Sequence, residues 1–315
     1  MEKILLKVNK EDEQKRLDVY IVEKCPFEIS RNLVRQAITN GEIIVNGSIK
    51  KPHYNIKCGD EVKILLENLE EKTQDTEILP ENIPLNILYE DDELIVINKP
   101  AGLLVHPTNK IKTGTLVNAL MYHIKDFEKH GGDITRLGIV HRLDKDTSGV
   151  LVISKTSYSH NILSRQFKDR VTKKNYIALV EGRLKEKESE INLPLGRHPT
   201  LRTKRAVVYN GREAITQYKV LKEFNDMASL VWIRLKTGRT HQIRVHFKYL
   251  GNPVLGDTLY GKNKFEKFYG ISPERQMLHA IKLGFYHPKT EKWLEFLAPL
   301  PNDFKELLIK LSHQS

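Results

Sequence analysis

The sequence predicts an α+β protein of two domains: a small module over residues 14–67 and a larger one over 84–315, joined by an acidic linker over 68–83. Three observations lead there. Residues 67–93 carry ten acidic side chains and one basic one, Lys72. Within them Asn68 to Glu77 has no usable hydrophobic period, which marks a solvated connection. On either side, apolar residues recur with both helical spacing and strand alternation. Finally, 315 residues suffice for two domains and for a core that can bury a site.

In the small module, Arg16-Leu17-Asp18-Val19-Tyr20-Ile21 has the pattern of a short amphipathic helix. Ser30 is a suitable N-cap for a second helix with one apolar stripe, Leu33, Val34, Ala37 and Ile38. Arg31 and Arg35, four apart, project from one face. Asn40-Gly41 ends that helix, and Ile43-Ile44-Val45 reads as a strand turning at Asn46-Gly47. Residues 1–68 nearly balance 12 basic against 11 acidic side chains. Residues 31–57, in contrast, hold Arg31, Arg35, Lys50, Lys51 and Lys57 against Glu42 alone. The positive charge is concentrated on the helix and hairpin.

In the larger domain, Glu93 to Asn98 reads as a buried strand stopped by Lys99-Pro100. A strand over Gly149 to Ile153 follows, then a helix starting near Thr156 that turns Ile162, Leu163 and Phe167 inward. Lys173 to Gly182 is a further strand with Tyr176 near its start. Residues 164–205 hold 12 basic and 5 acidic side chains, among them Arg202, Lys204 and Arg205; such a run is usually a solvated face. Leu230 to Lys236 alternates as a strand, Thr237-Gly238 turns, and Ile243, Phe247 and Leu250 keep helical spacing from a start at Thr240. The free N–H groups of that helix would favour a phosphate. Arg244 lies roughly 100° round from Ile243, on the flank of the buried stripe, where it can reach a carboxylate in a cleft.

The segment His141-Arg142-Leu143-Asp144-Lys145-Asp146-Thr147-Ser148-Gly149 sets a carboxylate in a basic turn, with Asp146 capping that turn. Basic residues around Asp144 suit a polyanionic substrate that must meet a nucleophile or base. Asp144 to Gly149 also imitates the opening of a calcium loop, but the twelfth position, which needs a bidentate Glu, is Lys155. Cys25 and Cys58 are far apart and outside any zinc spacing, which suits reduced thiols. His141, His241 and His246 lack metal-spaced partners, so solvation or phosphate contact is expected of them. The net charge of +11 suggests an anionic partner. Met1 to Lys7 is too short and too charged for a signal peptide, and no apolar run approaches a membrane span. A cytoplasmic protein without membrane contact is expected.

Arg16-Leu17-Asp18, Ser30-Arg31, the Gly41–Val45 strand, Asn46-Gly47, Lys51-Pro52 and Gly59-Asp60 together resemble the αL-type RNA-binding domain. The resemblance implies binding of structured RNA, with Arg31, Arg35 and Lys51 as phosphate contacts. In the larger domain the resemblance is to pseudouridine synthases of the RluA/RluC/RluD family. It rests on the His141–Gly149 segment, on Tyr176 with Ala178 to Gly182, and on Thr237 to His246. Gly251-Asn252-Pro253, Gly256-Asp257, Tyr260-Gly261, Leu278-His279-Ala280 and His287-Pro288 extend it.

That resemblance implies a catalytic domain built on a mixed, mainly antiparallel sheet, and isomerisation of uridine to pseudouridine without metal or cofactor. Asp144 would attack the ribose or assist glycal formation, and Arg244 would orient it. Tyr176 would pack on the uracil and is a candidate acceptor for the proton of its carbon 5. Arg142 would fill the space left by the flipped base, and Arg239 is a further substrate contact. The appended module points to the RluC/RluD branch, acting as a monomer on large-subunit ribosomal RNA or a pre-ribosomal particle. The competing reading is a non-catalytic RNA-binding or ribosome-assembly protein on the same scaffold. Residue by residue, Asp144 would then be a turn acid, Tyr176 a core tyrosine, Arg244 a structural ion pair and Arg142 a phosphate contact only.

Overall fold

Alternation of Ile43 and Val45 with Val62 and Ile64, all fully buried, gives the small unit a sheet with one apolar face. A computed structural model describes residues 3–26, 29, 31–65, 78–108, 111–124, 138–201, 203–261 and 272–314. The chain divides into two compact units, Met1–Glu77 and Ile78–Ser315. In the first, strands β1 (Lys3–Lys7), β2 (Ile43–Val45) and β3 (Glu61–Leu65) form an antiparallel sheet in the order β1-β3-β2. Helices α1 (Leu17–Lys24) and α2 (Arg31–Thr39) cover it with Leu17, Tyr20, Ile21, Val34, Ala37 and Ile38. Asn46 and Gly47 have φ of 49° and 73°, the left-handed pair that a two-residue hairpin turn demands. The expected N-cap, Ser30, lies outside the described residues, as do Arg202 and most of the expected linker.

Among the described residues the second unit is built on a nine-stranded sheet, in which Ser148–Ser154, Lys173–Glu181 and Leu278–Tyr286 are buried on both faces for most of their length. Such strands read as near-continuous apolar runs. The strands are β4 (Ile87–Glu90), β5 (Leu94–Lys99), β6 (Ser148–Ser154), β7 (Lys173–Glu181), β8 (Glu188–Asn192), β11 (Ile215–Phe224), β12 (Ala228–Leu235), β13 (Leu278–Tyr286) and β14 (Trp293–Leu297). Their order is β4-β5-β6-β13-β7-β12-β11-β8, with β14 also on β13. β6 with β13 is the parallel pair and the other pairings are antiparallel, the mixed, mainly antiparallel sheet expected. β9 (Leu195–Arg197) and β10 (Arg205–Val207) form a separate antiparallel pair.

The two-residue period of the strands sorts the core into two sides. Ile95, Ile97, Leu151, Ile153, Tyr176, Ala178, Val231 and Ile233 share one cluster with helix α3 (Leu116–His123) and helix α5 (Gln242–Tyr249). Alternate residues, Leu94, Val96, Val150 and Val152, pack with Leu163 of helix α4 (Ser157–Lys168). Ile177 and Leu179 pack with Phe304, Leu307 and Leu311 of helix α6 (Asn302–Gln314). Tyr176 is therefore on the side of α3 and α5.

Three local expectations change. Ile78 to Ile83, which the charge pattern assigns to the linker, is tied to the N-terminus of α3. The Glu81 N–H donates to the Asn118 carbonyl at 3.0 Å, and the Gly114 N–H donates to the Glu81 carboxylate at 2.9 Å. Helix α5 begins at Gln242, not Thr240, because His241 adopts a left-handed backbone with φ of 58°. Its residues from Gln242 to Phe247 are all buried, so Arg244 is inside rather than on a flank.

Candidate active site

Asp144 lies in the turn that feeds β6, closed by the Thr147 N–H donating to the Asp144 carbonyl at 3.1 Å. Gly149, the second residue of β6, has φ of 120°, and a Cβ there would collide with the main chain of Ala280. This glycine lets β6 approach β13, and the crossing fixes where the turn points. The turn is held mainly through its backbone. Lys99 Nζ, fully buried, donates to the carbonyls of Pro100, Leu103 and Lys145 at 2.7, 2.9 and 2.9 Å. Arg275 Nη1 donates to the Asp146 carbonyl at 3.1 Å and Gln276 Nε2 to Thr147 Oγ1 at 3.2 Å. It is the Asp146 carbonyl and the Asp144–Thr147 backbone bond, rather than a cap from the Asp146 side chain, that these contacts use.

The Asp144 carboxylate accepts from Arg244 Nη1 at 2.8 Å. The same guanidinium donates through Nε and Nη2 to Asp257, at 2.7 and 2.9 Å. Asp257 is in turn fixed by the N–H groups of Leu259 and Tyr260, both at 3.0 Å. Side-chain exposure is 0% for Asp257, 8% for Arg244 and 19% for Asp144. One carboxylate anchors the cation and the other is left open. Burial works against the Arg244 charge, but Asp257 and then Asp144 outweigh it and push its pKa up.

His241 Nε2 is 3.9 Å from Asp144, while its Nδ1 is 2.8 Å from the Tyr260 hydroxyl. That hydroxyl accepts from the Arg205 N–H at 2.8 Å. Burial lowers the His241 pKa against the opposing pull of Asp144, which favours a neutral imidazole. Tyr176 lines the same cleft as Asp144, Arg142, Arg239, His241 and Arg244. Burial, then the Asp144 charge, push its hydroxyl well above the usual phenol range. At neutral pH it is a phenol.

Arg142 is exposed at the cleft, and Arg239 is half-buried with its Nε donating to the Glu213 carbonyl at 2.9 Å. Of the three histidines expected to meet solvent or phosphate, His141 and His246 make hydrogen bonds within the protein. His141 Nε2 accepts from the Val152 N–H at 3.1 Å, and its ring stacks on Phe167 with centroids 4.4 Å apart. Burial pushes its pKa down to about 3. His246 is fully buried between Thr216 Oγ1 and the Leu193 carbonyl. His246 is an internal hydrogen-bonding group, whereas His141 is half-buried and also lines the cleft.

In the small unit, Arg31 and Arg35 do not stand free. Their Nε atoms donate to the buried Asp18 carboxylate at 3.2 and 2.7 Å, joined by Arg16 at 3.0 Å. All three arginines remain 42–49% exposed. Lys51 is exposed.

Asp257, Tyr260, Lys99 and Arg275 carry no assigned role in the sequence reading. Asp257 and Tyr260 belong to motif segments quoted above, whereas lysine is so seldom fully buried that the sequence offers no signal for the buried ammonium of Lys99.

Residues 93–249 match the family described as RNA pseudouridylate synthase, and residues 15–62 match the S4 domain. An uncharacterized RNA pseudouridine synthase of Aquifex aeolicus is 42% identical over 316 residues, spanning 99% of this chain and 98% of the relative. A ribosomal large subunit pseudouridine synthase D of Pasteurella multocida is 40% identical over 302 residues, spanning 93% and 90%. Among solved structures, human RNA pseudouridylate synthase domain containing 4 has a TM-score of 0.57 at 28% identity, covering 72% of this chain and 93% of its own. With its basic cleft and S4 domain, this chain belongs to the RNA pseudouridine synthases, isomerases that act on uridine in RNA.

Proposed function

We propose that the chain converts uridines of large-subunit ribosomal RNA to pseudouridine, as the RluC/RluD branch does, with Asp144 as the catalytic carboxylate. The observation that carries this reading is the Asp257–Arg244–Asp144 chain. It leaves one partly exposed carboxylate, oriented by a buried cation, in a cleft whose other charged side chains among the described residues are basic. Binding alone needs the basic surface but gains nothing from a carboxylate that repels phosphate. The relatives named ribosomal large subunit pseudouridine synthase D support the choice of RNA.

The reaction is balanced within the substrate. The bond from ribose carbon 1′ to N1 breaks, the uracil turns, a bond to C5 forms, C5 loses a proton and N1 gains one. No electron donor or acceptor is needed, and the enzyme acts as a monomer. Asp144 either adds to carbon 1′ or assists removal of the 2′ proton to give a glycal; the oriented carboxylate serves both. Tyr176, a neutral phenol, packs against the uracil face. Arg142, exposed at the rim, occupies the gap left by the extruded nucleotide, an extrusion that costs a few kcal/mol. Arg239 contacts the strand beside it.

Pseudouridine mapping of large-subunit RNA from cells with the wild-type protein, with none, and with Asp144→Asn tests this. The expected result is a small set of sites lost equally in the last two, with RNA affinity of the variant retained. Sites that persist in Asp144→Asn overturn the assignment of Asp144, and sites confined to other RNAs overturn the substrate.

A further inference from the structure

Lys174 precedes Tyr176 by two residues on β7, so both side chains leave the same face of the sheet, roughly 7 Å apart along the strand. Lys174 is 8% exposed. Among the described residues its ammonium has no ion pair and no hydrogen bond; its partner is the Phe167 ring, with Nζ 5.9 Å from the centroid. Burial, and then the neighbouring cations Arg170 and Arg239, push its pKa down to about 8. Those two arginines are held in place by one residue: Arg170 pairs with the Glu213 carboxylate, and Arg239 donates to its carbonyl.

A buried, unpaired ammonium is costly, and surrounding it with cations raises the cost. An ammonium has three donors and no acceptor, so whatever completes this site must accept, and three clustered cations call for a negative charge. Glu213 already neutralises Arg170 but does not reach Lys174, and among the described residues the wall of the cleft, with Arg142, Lys168, Arg170, Lys174, Lys236 and Arg239, carries Asp144 as its single carboxylate. Asp144 is already engaged by Arg244. The missing counter-charge must come from the substrate, and the anionic group an RNA strand offers is its phosphodiester.

We propose that Lys174, flanked by Arg170 and Arg239, grips a backbone phosphodiester at or next to the target uridine and so sets which nucleotide is drawn over Tyr176. This rests on the reading that Tyr176 packs on the target uracil. Strand spacing places the lysine about one nucleotide's length from that ring. The contact also accounts for a lysine kept beside a phenylalanine: the ring pairs weakly with the ammonium when the cleft is empty and does not compete with phosphate when it is full.

The test measures affinity in the full-length Asp144→Asn background, using a large-subunit RNA fragment that the wild-type protein modifies. Lys174→Met is expected to weaken binding about tenfold, while Lys174→Arg stays within about threefold. The slope of log affinity against log salt should fall by about 0.7 in Lys174→Met, the value for one phosphate contact on a single strand. RNA carrying a neutral methylphosphonate at one linkage flanking the target uridine should bind the Lys174 protein about tenfold more weakly, yet cost Lys174→Met nothing further. An unchanged slope, or equal losses on the neutral linkage with and without Lys174, overturns the phosphate contact. Contact with a uracil carbonyl would give that second pattern. If Lys174→Met does not fold, the neutral RNA against the Lys174 and Lys174→Arg proteins decides, and no loss at either flanking linkage overturns the proposal. Tyr176→Leu with wild-type turnover would instead remove the uracil placement while leaving the salt slope in force, so the two failures are distinguishable.

Discussion

Asp18 in the small unit and Asp144 in the large one are both carboxylates bonded to arginine, and their surroundings are opposites. Asp18 is fully buried and receives three half-exposed arginines, Arg16, Arg31 and Arg35. Burial works against its charge, but Arg31, Arg35 and Arg16 outweigh it and hold its pKa at about 2. The acid there serves the cations: it fixes three guanidinium groups on one surface with a net excess of positive charge. At Asp144 the order is reversed. One buried arginine, itself clamped by Asp257, serves an acid that keeps 19% of its side chain exposed. The same pair of residue types builds a half-exposed cluster of cations in one unit and a positioned carboxylate in the other. Which partner is buried decides the outcome.

The sharpest way to break this contrast is to remove the hidden acid of the large unit. Asp257→Asn leaves Arg244 with a neutral neighbour and frees it to collapse fully onto Asp144. Breaking one side of a buried ion pair costs about 3–5 kcal/mol, and the turnover number should fall by about a hundredfold or more while RNA affinity changes little. Stopped-time pseudouridine assays at saturating RNA, with a thermal melt alongside, read both. Turnover equal to wild type would mean that Arg244 positions nothing.

Lys99→Met comes next. It removes the three N–H donors that tie Pro100, Leu103 and Lys145 together and leaves buried carbonyls unmet, at about 1–3 kcal/mol each less the gain from an apolar side chain. A net loss of about 2–3 kcal/mol is expected, with the turnover number reduced more than KM is raised, since the turn carrying Asp144 loosens while the basic wall stays. A proportionate change in both constants would place Lys99 in general stability alone.

Much of this contrast was legible before the fold was known, and the legible part has a physical pattern. Asp144 stands out because its neighbours in sequence are basic, and Asn46-Gly47 stands out because its turn chemistry is local. Strands β5 and β6 announce themselves as apolar runs, whereas β8 and β11 carry too many polar residues to do so. Asp257 is silent because its partner, Arg244, is thirteen residues away across a helix end and a turn, and only tertiary folding joins them. The pairing of Arg31 and Arg35 with Asp18 is silent for the same reason. Helical spacing shows that the two arginines share a face, but not that a carboxylate from α1 lies beneath them. His241 misleads, since a left-handed backbone at a non-glycine residue shortens a helix whose spacing runs on through it.

Asp18→Asn sharpens the comparison from the other side. Its arginines are half-exposed and solvent-screened, so the loss should be smaller than at Asp257, about 2 kcal/mol, and confined to the small unit. Catalysis at saturating RNA should survive, while affinity falls as the three arginines lose their common anchor. Hydrogen exchange resolved by unit reads the stability, and titration with RNA reads the affinity. A fall in turnover equal to that of Asp257→Asn would erase the distinction between the two sites.

The smallest effect is that of acid. Asp18 titrates at about 2 in the folded chain against 3.8 as its ordinary value, so the folded state binds its proton less readily than the unfolded one. The resulting stability is fully present above about pH 4 and is lost as pH falls towards 2. The difference amounts to about 2 kcal/mol at most, and screening of half-exposed arginines brings it to about 1 kcal/mol. Exchange protection of α1 and α2 should therefore decline between pH 4 and 2, and Asp18→Asn should flatten that decline without abolishing it. Asp60, whose pKa the Lys57 N–H, Asn46 and Tyr54 lower against burial, and Asp12, lowered by Lys15 and Lys24, contribute to the remainder. Identical acid profiles for the two proteins would show that the arginines hold their surface without the carboxylate beneath them, and Asp18 would then no longer be the small unit's counterpart of Asp257.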